Sequence, residues 1–314
     1  AEDGIRDSAC LVGSEMCIRD SYYRAGEHEY RYVLSVHADE IVSEGLWRRK
    51  LGASRTAMLF EREDTKVELG PTLRKLVTAA RFNPSLPYLS FLCINFDAPV
   101  VQEAASWFLD AVFLNYNSSY LERMLEQMLD EGDSREVTRF LRAVDVRIDG
   151  FRVERAPEWR GQRVFVRHEV GGKAYELRLS EESAGTQKLM GLAAYLMTAL
   201  ERGGTVVVDE LDAKLHPKLL RYVILLFKDP EVNKSGAQLI FSSQDVSTMR
   251  NDVFRRDEIW FAARGEGEAS QLWSLADIHE PNGNLVSKNA AFDKQYLSGR
   301  YGADPYLTRI EEWD

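Results

Sequence analysis

Two adjacent carboxylates, Asp209 and Glu210, follow the apolar run Thr205-Val206-Val207-Val208 in this 314-residue chain. A continuous apolar run of this kind reads as a strand of a buried parallel sheet. In open α/β sheets ligands bind beyond the C-terminal ends of the strands, where this pair falls. Burying two carboxylates side by side is costly unless a cation or a proton neutralises them. The chemistry this suggests gives Asp209 to a Mg2+ ion, directly or through water, and Glu210 to orienting an attacking water. The other reading is a strand that ends in a solvated acidic turn. A second element precedes the first: Ser183-Ala184-Gly185-Thr186 opens a long amphipathic stretch over 183–201. Hydroxyls and a glycine at a helix start expose unpaired N–H groups at the positive end of the dipole, which makes an anion site. A simple cap is the alternative, with Ser183 at the N-cap and Gln187 a little late for a capping box.

The elements that must position these residues fall into blocks. Residues 30–36, 41–49 and 57–63 alternate apolar with polar side chains and read as half-buried strands, a β-rich opening. From Pro71 the spacing turns helical, over 73–82, 100–116, 120–129 and 134–144, punctuated by Pro84, Pro87 and Pro99. Strands return at 146–155, 163–169 and 174–179, the last two joined by Val170-Gly171-Gly172-Lys173, a hairpin turn. Beyond the 205–208 strand, 217–227 reads as helix and 237–242, 258–263 and 271–275 as strands. The polar segment 279–289 reads as a mobile loop.

Formal net charge is −10, from 40 Lys and Arg against 50 Asp and Glu. This argues against a broad nucleic-acid surface, which needs clustered positive charge. The basic run Trp47-Arg48-Arg49-Lys50 reads as a solvated turn. No apolar run reaches the roughly eighteen residues of a membrane helix, and no secretory leader opens the chain, so a cytoplasmic protein is expected. The cysteines are Cys10, Cys17 and Cys93. No CxxC pair and no suitably spaced His accompany them, which argues against zinc. Cys93 reads as a buried small hydrophobe. Trp107, Phe108, Val112 and Phe113 read as a helical packing stripe.

Residues 1–21 repeat themselves, Gly4-Ile5-Arg6-Asp7-Ser8 returning as Cys17-Ile18-Arg19-Asp20-Ser21. The stretch from Leu11 to Ser21 resembles the in-frame translation of a transposon-based sequencing adapter. Residues 1–21 are therefore expected to be foreign and disordered, with authentic sequence from near Tyr22.

The order of elements carries a wider resemblance. A Ser-x-Gly-Thr helix start, a strand ending Asp209-Glu210-Leu211-Asp212, then Leu215-His216-Pro217, resembles ABC-head ATPases of the AAA family with SMC-like and OLD-like relatives. Gly236-Ala237-Gln238-Leu239-Ile240-Phe241-Ser242-Ser243-Gln244-Asp245 is similar to the family's switch strand. Arg256-Asp257-Glu258-Ile259-Trp260-Phe261 and Leu297-Ser298-Gly299-Arg300-Tyr301-Gly302 resemble the tail of a bacterial and archaeal subgroup, some members of which are linked to abortive infection. The resemblance spans 22–307.

That resemblance implies an α/β P-loop NTPase of the ABC-head type. Its parts would be an antiparallel β part (22–70), a helical insertion (71–145) and an ATPase core (146–314). It implies that Ser183, Gly185 and Thr186 form the signature closing on the γ-phosphate held by a partner, and that Asp209 and Glu210 are the Walker B pair. Asp212 would belong to the D-loop and Gln244 would be the switch residue. ATP and Mg2+ are the implied ligands, an ATP-sandwiched homodimer the implied assembly, and an effector nuclease or toxin the implied further partner. His216, grouped with the nucleotide residues, precedes Pro217, where capping or packing suits it equally well.

Two departures stand out. No G-x-x-x-x-G-K-[ST] occurs in the 314 residues, although that loop holds the β- and γ-phosphates. The resemblance places it before the β-rich opening, so truncation of the first strand and loop is expected, with little or no hydrolysis by this chain alone. The switch position usually holds His, whereas Gln244 can hydrogen-bond a phosphate but cannot carry positive charge or shuttle a proton. A catalytically weak nucleotide sensor regulating a nuclease or toxin is therefore the alternative function.

Overall fold

Alternating side chains sort to opposite faces of a strand, so the 30–63 region can bury one face of a meander while the other meets water. The computed structural model describes residues 17–37, 40–78, 80–114, 125, 129, 134–144, 146–155, 162–264 and 270–303. The chain divides into two compact units, Ala1–Leu109 with Arg250–Asp314, and Asp110–Met249.

In the first unit β1 (Cys17–Ala25), β2 (His28–His37), β3 (Glu40–Lys50), β4 (Thr56–Glu63) and β5 (Lys66–Leu69) form an antiparallel sheet in chain order. Its buried face, with Tyr23, Tyr30, Leu46 and Phe60, joins one core with α1 (Tyr88–Asn95) and α2 (Pro99–Asp110). Tyr23 stacks on Tyr30 and Trp107, and its hydroxyl donates to Ala104 O at 2.7 Å.

The disorder expected for residues 17–21 does not occur. Cys17 pairs with Val36 and Ser21 with Tyr32 across β1 and β2. A ladder is made by backbone groups, so strand pairing continues whatever the origin of the side chains in register. Residues 1–16 lie outside the described residues. The run Trp47-Arg48-Arg49-Lys50 is not a turn but the end of β3, where Arg49 pairs with Glu29 and Lys50 with Glu27.

Among the described residues of 73–82, where a helix was expected, a single 3-10 turn forms, Leu73–Lys75. The chain that follows is held from outside. Arg62 and Glu44, each with a fully buried side chain, face each other at 3.3 Å. Arg62 donates to the carbonyls of Asp64, Pro84 and Leu86 and lies over the Phe82 ring. Glu44 accepts from the backbone N–H groups of Tyr88 and Leu89, at the start of α1, and from the Tyr32 hydroxyl. Burial pushes the Glu44 carboxyl upward, opposed by those donors and by Arg62. Cys93 is half-buried in α1, its Sγ 3.2 Å from Gln102 Oε1, rather than a core residue.

The C-terminal part of this unit pairs Trp260–Arg264 with Ser270–Ser274 and stacks Phe261 on Tyr296 of the Phe292–Leu297 helix. The 279–289 segment, expected to be mobile, is a closed turn: His279 and Leu285 form a bridge and Val286 is buried.

In the second unit β6 (Val112–Leu114) and α3 (Ser134–Ala143) precede an antiparallel set, β7 (Gly150–Arg155), β8 (Gln162–Val170) and β9 (Lys173–Arg178). Gly171 and Gly172, at φ of 60° and 75°, supply the hairpin turn. There follow α4 (Ala184–Arg202), β10 (Thr205–Val208), α5 (Pro217–Lys228) and β11 (Gln238–Phe241). The parallel sheet has the order β11-β10-β6, with Val206 opposite Val112 and Leu239.

One helix was expected over 100–116; it stops at Asp110. Val112-Phe113-Leu114 continues the helical spacing of apolar residues, but its β-branched and aromatic character suits a strand, and β10 satisfies its backbone. Trp107 and Phe108 do pack together, whereas Phe113 is 71% exposed on the strand. The expected helix over 120–129 lies almost wholly outside the described residues.

Removing one partner of a buried ion pair costs about 3–5 kcal/mol. Glu44→Ala should lower stability by that amount in urea unfolding, because Arg62 and two helix N–H groups lose their acceptor. A loss below about 1 kcal/mol would show that this pair does not seat the 82–89 segment.

Candidate functional site

The central strand β10 is sealed on one face by Val206 and Val208, each no more than 2% exposed, and delivers the next residues to the sheet edge. The Asp209 amide donates to Leu114 O at 3.0 Å and the Leu211 amide to Ser242 O at 3.0 Å. Ser242 sits between the two carboxylate residues: its hydroxyl donates to Asp209 Oδ1 and accepts from the Glu210 amide at 2.8 Å. Asp209 and Glu210 are both exposed. The cost expected from burying them together is therefore not incurred, and solvent screens their repulsion. The order at this edge comes from the backbone. Glu210 has φ of 51° and Lys214 of 60°, a left-handed conformation that costs a residue with a side chain roughly 1–2 kcal/mol.

The helix start is a cap. Ser183 Oγ accepts from the Thr186 amide at 3.1 Å and lies 2.8 Å from Thr186 Oγ1. Gln187 does not complete a capping box; its side-chain amide donates to Glu182 O at 2.6 Å. Glu182 is in turn paired with His168 Nε2 at 2.6 Å.

Gly185 is explained by contact. A Cβ there would stand 2.7 Å from Lys214 O, closer than real Cβ atoms come to backbone. One helical turn on, Lys188 is only 3% exposed. Its Nζ donates to the carbonyls of Glu210, Leu211 and Ala213 at 2.7, 3.1 and 2.8 Å. Burial pushes this ammonium down to about 8, with Lys214 adding to the push and Asp212 and Glu210 opposing it.

Asp212 Oδ2 accepts from the Gln244 amide at 3.2 Å, while its Oδ1 is buried with no hydrogen-bond partner among the described residues. The helix start that carries Ser183 and Thr186 meets the turn after β10 through Gly185, which lies against Lys214 O, and through Lys188, while the backbone of Gln244 lies against Asp212. His216 is an exposed N-cap of α5, its Nδ1 accepting from the Lys218 amide at 3.1 Å. Sequence reasoning missed Lys188 and Ser242. A signal for Lys188 was present: it stands one residue before Leu189 and four before Leu192, in the part of α4 that is buried.

Among the described residues no group of three or more His, Cys, Asp or Glu side chains is placed to hold a metal. Asp209 with its Ser242 partner supplies a single carboxylate. That donor set fits Mg2+, which keeps several waters and takes phosphate oxygens as ligands. Among the same residues no helix is long and apolar enough to cross a membrane.

The family model described as "AAA domain, putative AbiEii toxin, Type IV TA system" matches residues 71–250, more than half of the chain. The chain belongs to this AAA-domain family. The match contains every residue of the site just described. Among solved structures, the SMC head domain from Thermotoga maritima is similar at 14% identity, over 79% of this chain and 74% of that chain, with a TM-score of 0.34. No residue role is carried across from it. No curated protein matches the chain.

Between about pH 8 and the ordinary value of 10.5 the folded AAA domain has released the Lys188 proton and the unfolded chain still holds it. Stability from this group therefore rises with pH across that window and is flat below it. Urea unfolding of the wild type and Lys188→Met at a series of pH values should show the wild type gaining on the variant above pH 8. A constant difference from pH 7 to 10 would contradict the burial of the ammonium.

Proposed function

We propose that this chain is the head of an ATP-hydrolysing dimer in which nucleotide joins two protomers. The observation that carries the reading is the docking of the Ser183–Thr186 helix start onto the Asp209–Asp212 turn, through Gly185 and Lys188. A helix start alone is a generic anion site. Fastened beside two exposed carboxylates at a sheet edge, it suits phosphoryl transfer, which works by positioning and charge stabilisation.

In this reading Ser183, Gly185 and Thr186 close on the γ-phosphate held by the partner. Asp209, aligned by Ser242, faces the cation, and Glu210 orients water in its own protomer. Asp212 and Gln244 line the passage between the two sites, with His216 at its margin. Mg2+, when bound, would neutralise charge on the phosphate oxygens. These 314 residues contain no P-loop, so the chain alone hydrolyses little and the nucleotide comes with the partner. The description of the matched family, a toxin of a type IV system, suits a dimer that gates an effector toxin or nuclease in the cytoplasm.

Gln244 favours a second reading, a weakly hydrolysing sensor. Its amide side chain cannot become cationic, and here its backbone N–H is turned to Asp212.

The test mixes this chain with a full-length homologue that has a P-loop but whose signature serine is replaced. ATP hydrolysis should appear in the mixture and in neither protein alone. Ser183→Arg in this chain should reduce it by about a hundredfold, the loss of a positioned transition-state donor. Glu210→Gln in this chain should leave the mixture's rate unchanged, because that carboxylate serves its own protomer's nucleotide. Association with ATP but no turnover would favour the sensor; hydrolysis by this chain alone would refute the composite site.

A further inference from the structure

We propose that Lys188 is the positioning residue that fastens the 209–214 turn to the start of α4, so that contact at Ser183 and Thr186 is relayed to Glu210 of the same protomer. The fastening rests on geometry alone. The relay rests on the nucleotide reading above, which supplies what arrives at Ser183.

Three ammonium hydrogens meet three carbonyls, those of Glu210, Leu211 and Ala213, within 3.1 Å. These carbonyls belong to a turn that bends left-handed at Glu210 and again at Lys214. Such conformations persist only where the surroundings over-determine them. Two handles do so here. Ser242, at the end of β11, holds the Glu210 amide, and Lys188 holds the Glu210 carbonyl from the helix side. The peptide units on both sides of the Glu210 Cα are therefore fixed by different elements, one of which carries the Ser183 cap. Gly185 completes the seat by letting the Lys214 carbonyl approach the helix.

A displacement of the helix start must then either break the Lys188 contacts or rotate Glu210 about its Cα. Ser183 faces the nucleotide held by the partner, whereas Glu210 serves the nucleotide of its own protomer. Lys188 thus links contact with the partner's nucleotide at Ser183 to the carboxylate edge of this chain. The groups facing the ammonium are Asp212 and Glu210, which favour its charge, and Lys214, which opposes it.

Hydrogen exchange at the Ala213 and Leu215 amides, which bond to Glu210 O and Asp212 O, tests the fastening without nucleotide. Lys188→Met should speed exchange at both by about tenfold or more, while amides in the middle of α4 stay within about twofold. Lys188→Arg, which keeps the charge but whose planar fork cannot aim at all three carbonyls, should restore the turn only in part, leaving exchange between that of Lys188→Met and the wild type. If Lys188→Met does not fold, Lys188→Gln, which keeps a donor, should give an intermediate rise. Turn exchange equal to the wild type in Met or Gln variants, or a rise spread evenly over α4, would overturn the proposal.

The relay is read in the mixture with the P-loop-bearing homologue. MgATP should slow exchange at Ala213 and Leu215 in the wild type and not in Lys188→Met. Equal slowing in both overturns the relay. Slowing in neither, with the turn loosened by Lys188→Met, refutes the nucleotide reading and the relay with it, and leaves the fastening standing.

Discussion

The second unit depends on one buried ammonium. Lys188 reaches from α4 to three carbonyls of the turn that follows β10, and without it that turn would present unpaired acceptors to the helix. Buried polar groups left without partners cost about 1–3 kcal/mol each. This constraint explains features that look unrelated in the sequence. Gly185 is small because the same turn presses on the helix. Glu210 tolerates a left-handed backbone because its two flanking peptide units are held by different partners. The two carboxylates then leave a fixed turn without being buried, and Ser242 orients that of Asp209, so the fold itself does not have to neutralise them.

The first unit meets a similar problem with a different solution. The 82–87 segment, with Pro84 and Pro87, makes no regular helix or strand, so its carbonyls and the first amides of α1 need partners from elsewhere. Arg62 and Glu44 supply them from adjacent strands of the sheet. The pair is costly to desolvate, and the contacts it makes to backbone on both sides account for its place in the core.

Much of this architecture was legible in the residues. The 205–208 strand and the helix after Ser183 have strong patterns, and both form, with Ser183 at the cap. Val112–Leu114 was not legible, because three apolar residues extend a helical spacing as easily as they start a strand. Pairing with β10, a contact distant in sequence, decides between them. Residues 17–21 form strand because an open ladder accepts backbone without regard to side chains. A neutralised buried pair and a solvated acidic turn were both open for the two carboxylates, because the strand before them is buried; the turn carries them into solvent one residue later. Lys188 escaped notice because a lysine beside Gln187 on a helix reads as surface, and its burial depends on carbonyls more than twenty residues away.

In the proposed dimer the Ser183 helix start meets a nucleotide held by another protomer. Sedimentation velocity tests it most directly, using this chain and a P-loop-bearing homologue whose residue equivalent to Glu210 is changed to Gln so that ATP persists. A heterodimer should form with MgATP, be absent with ADP, and be lost when Ser183 is changed to Arg. Association that ignores nucleotide, or survives Ser183→Arg, would contradict it.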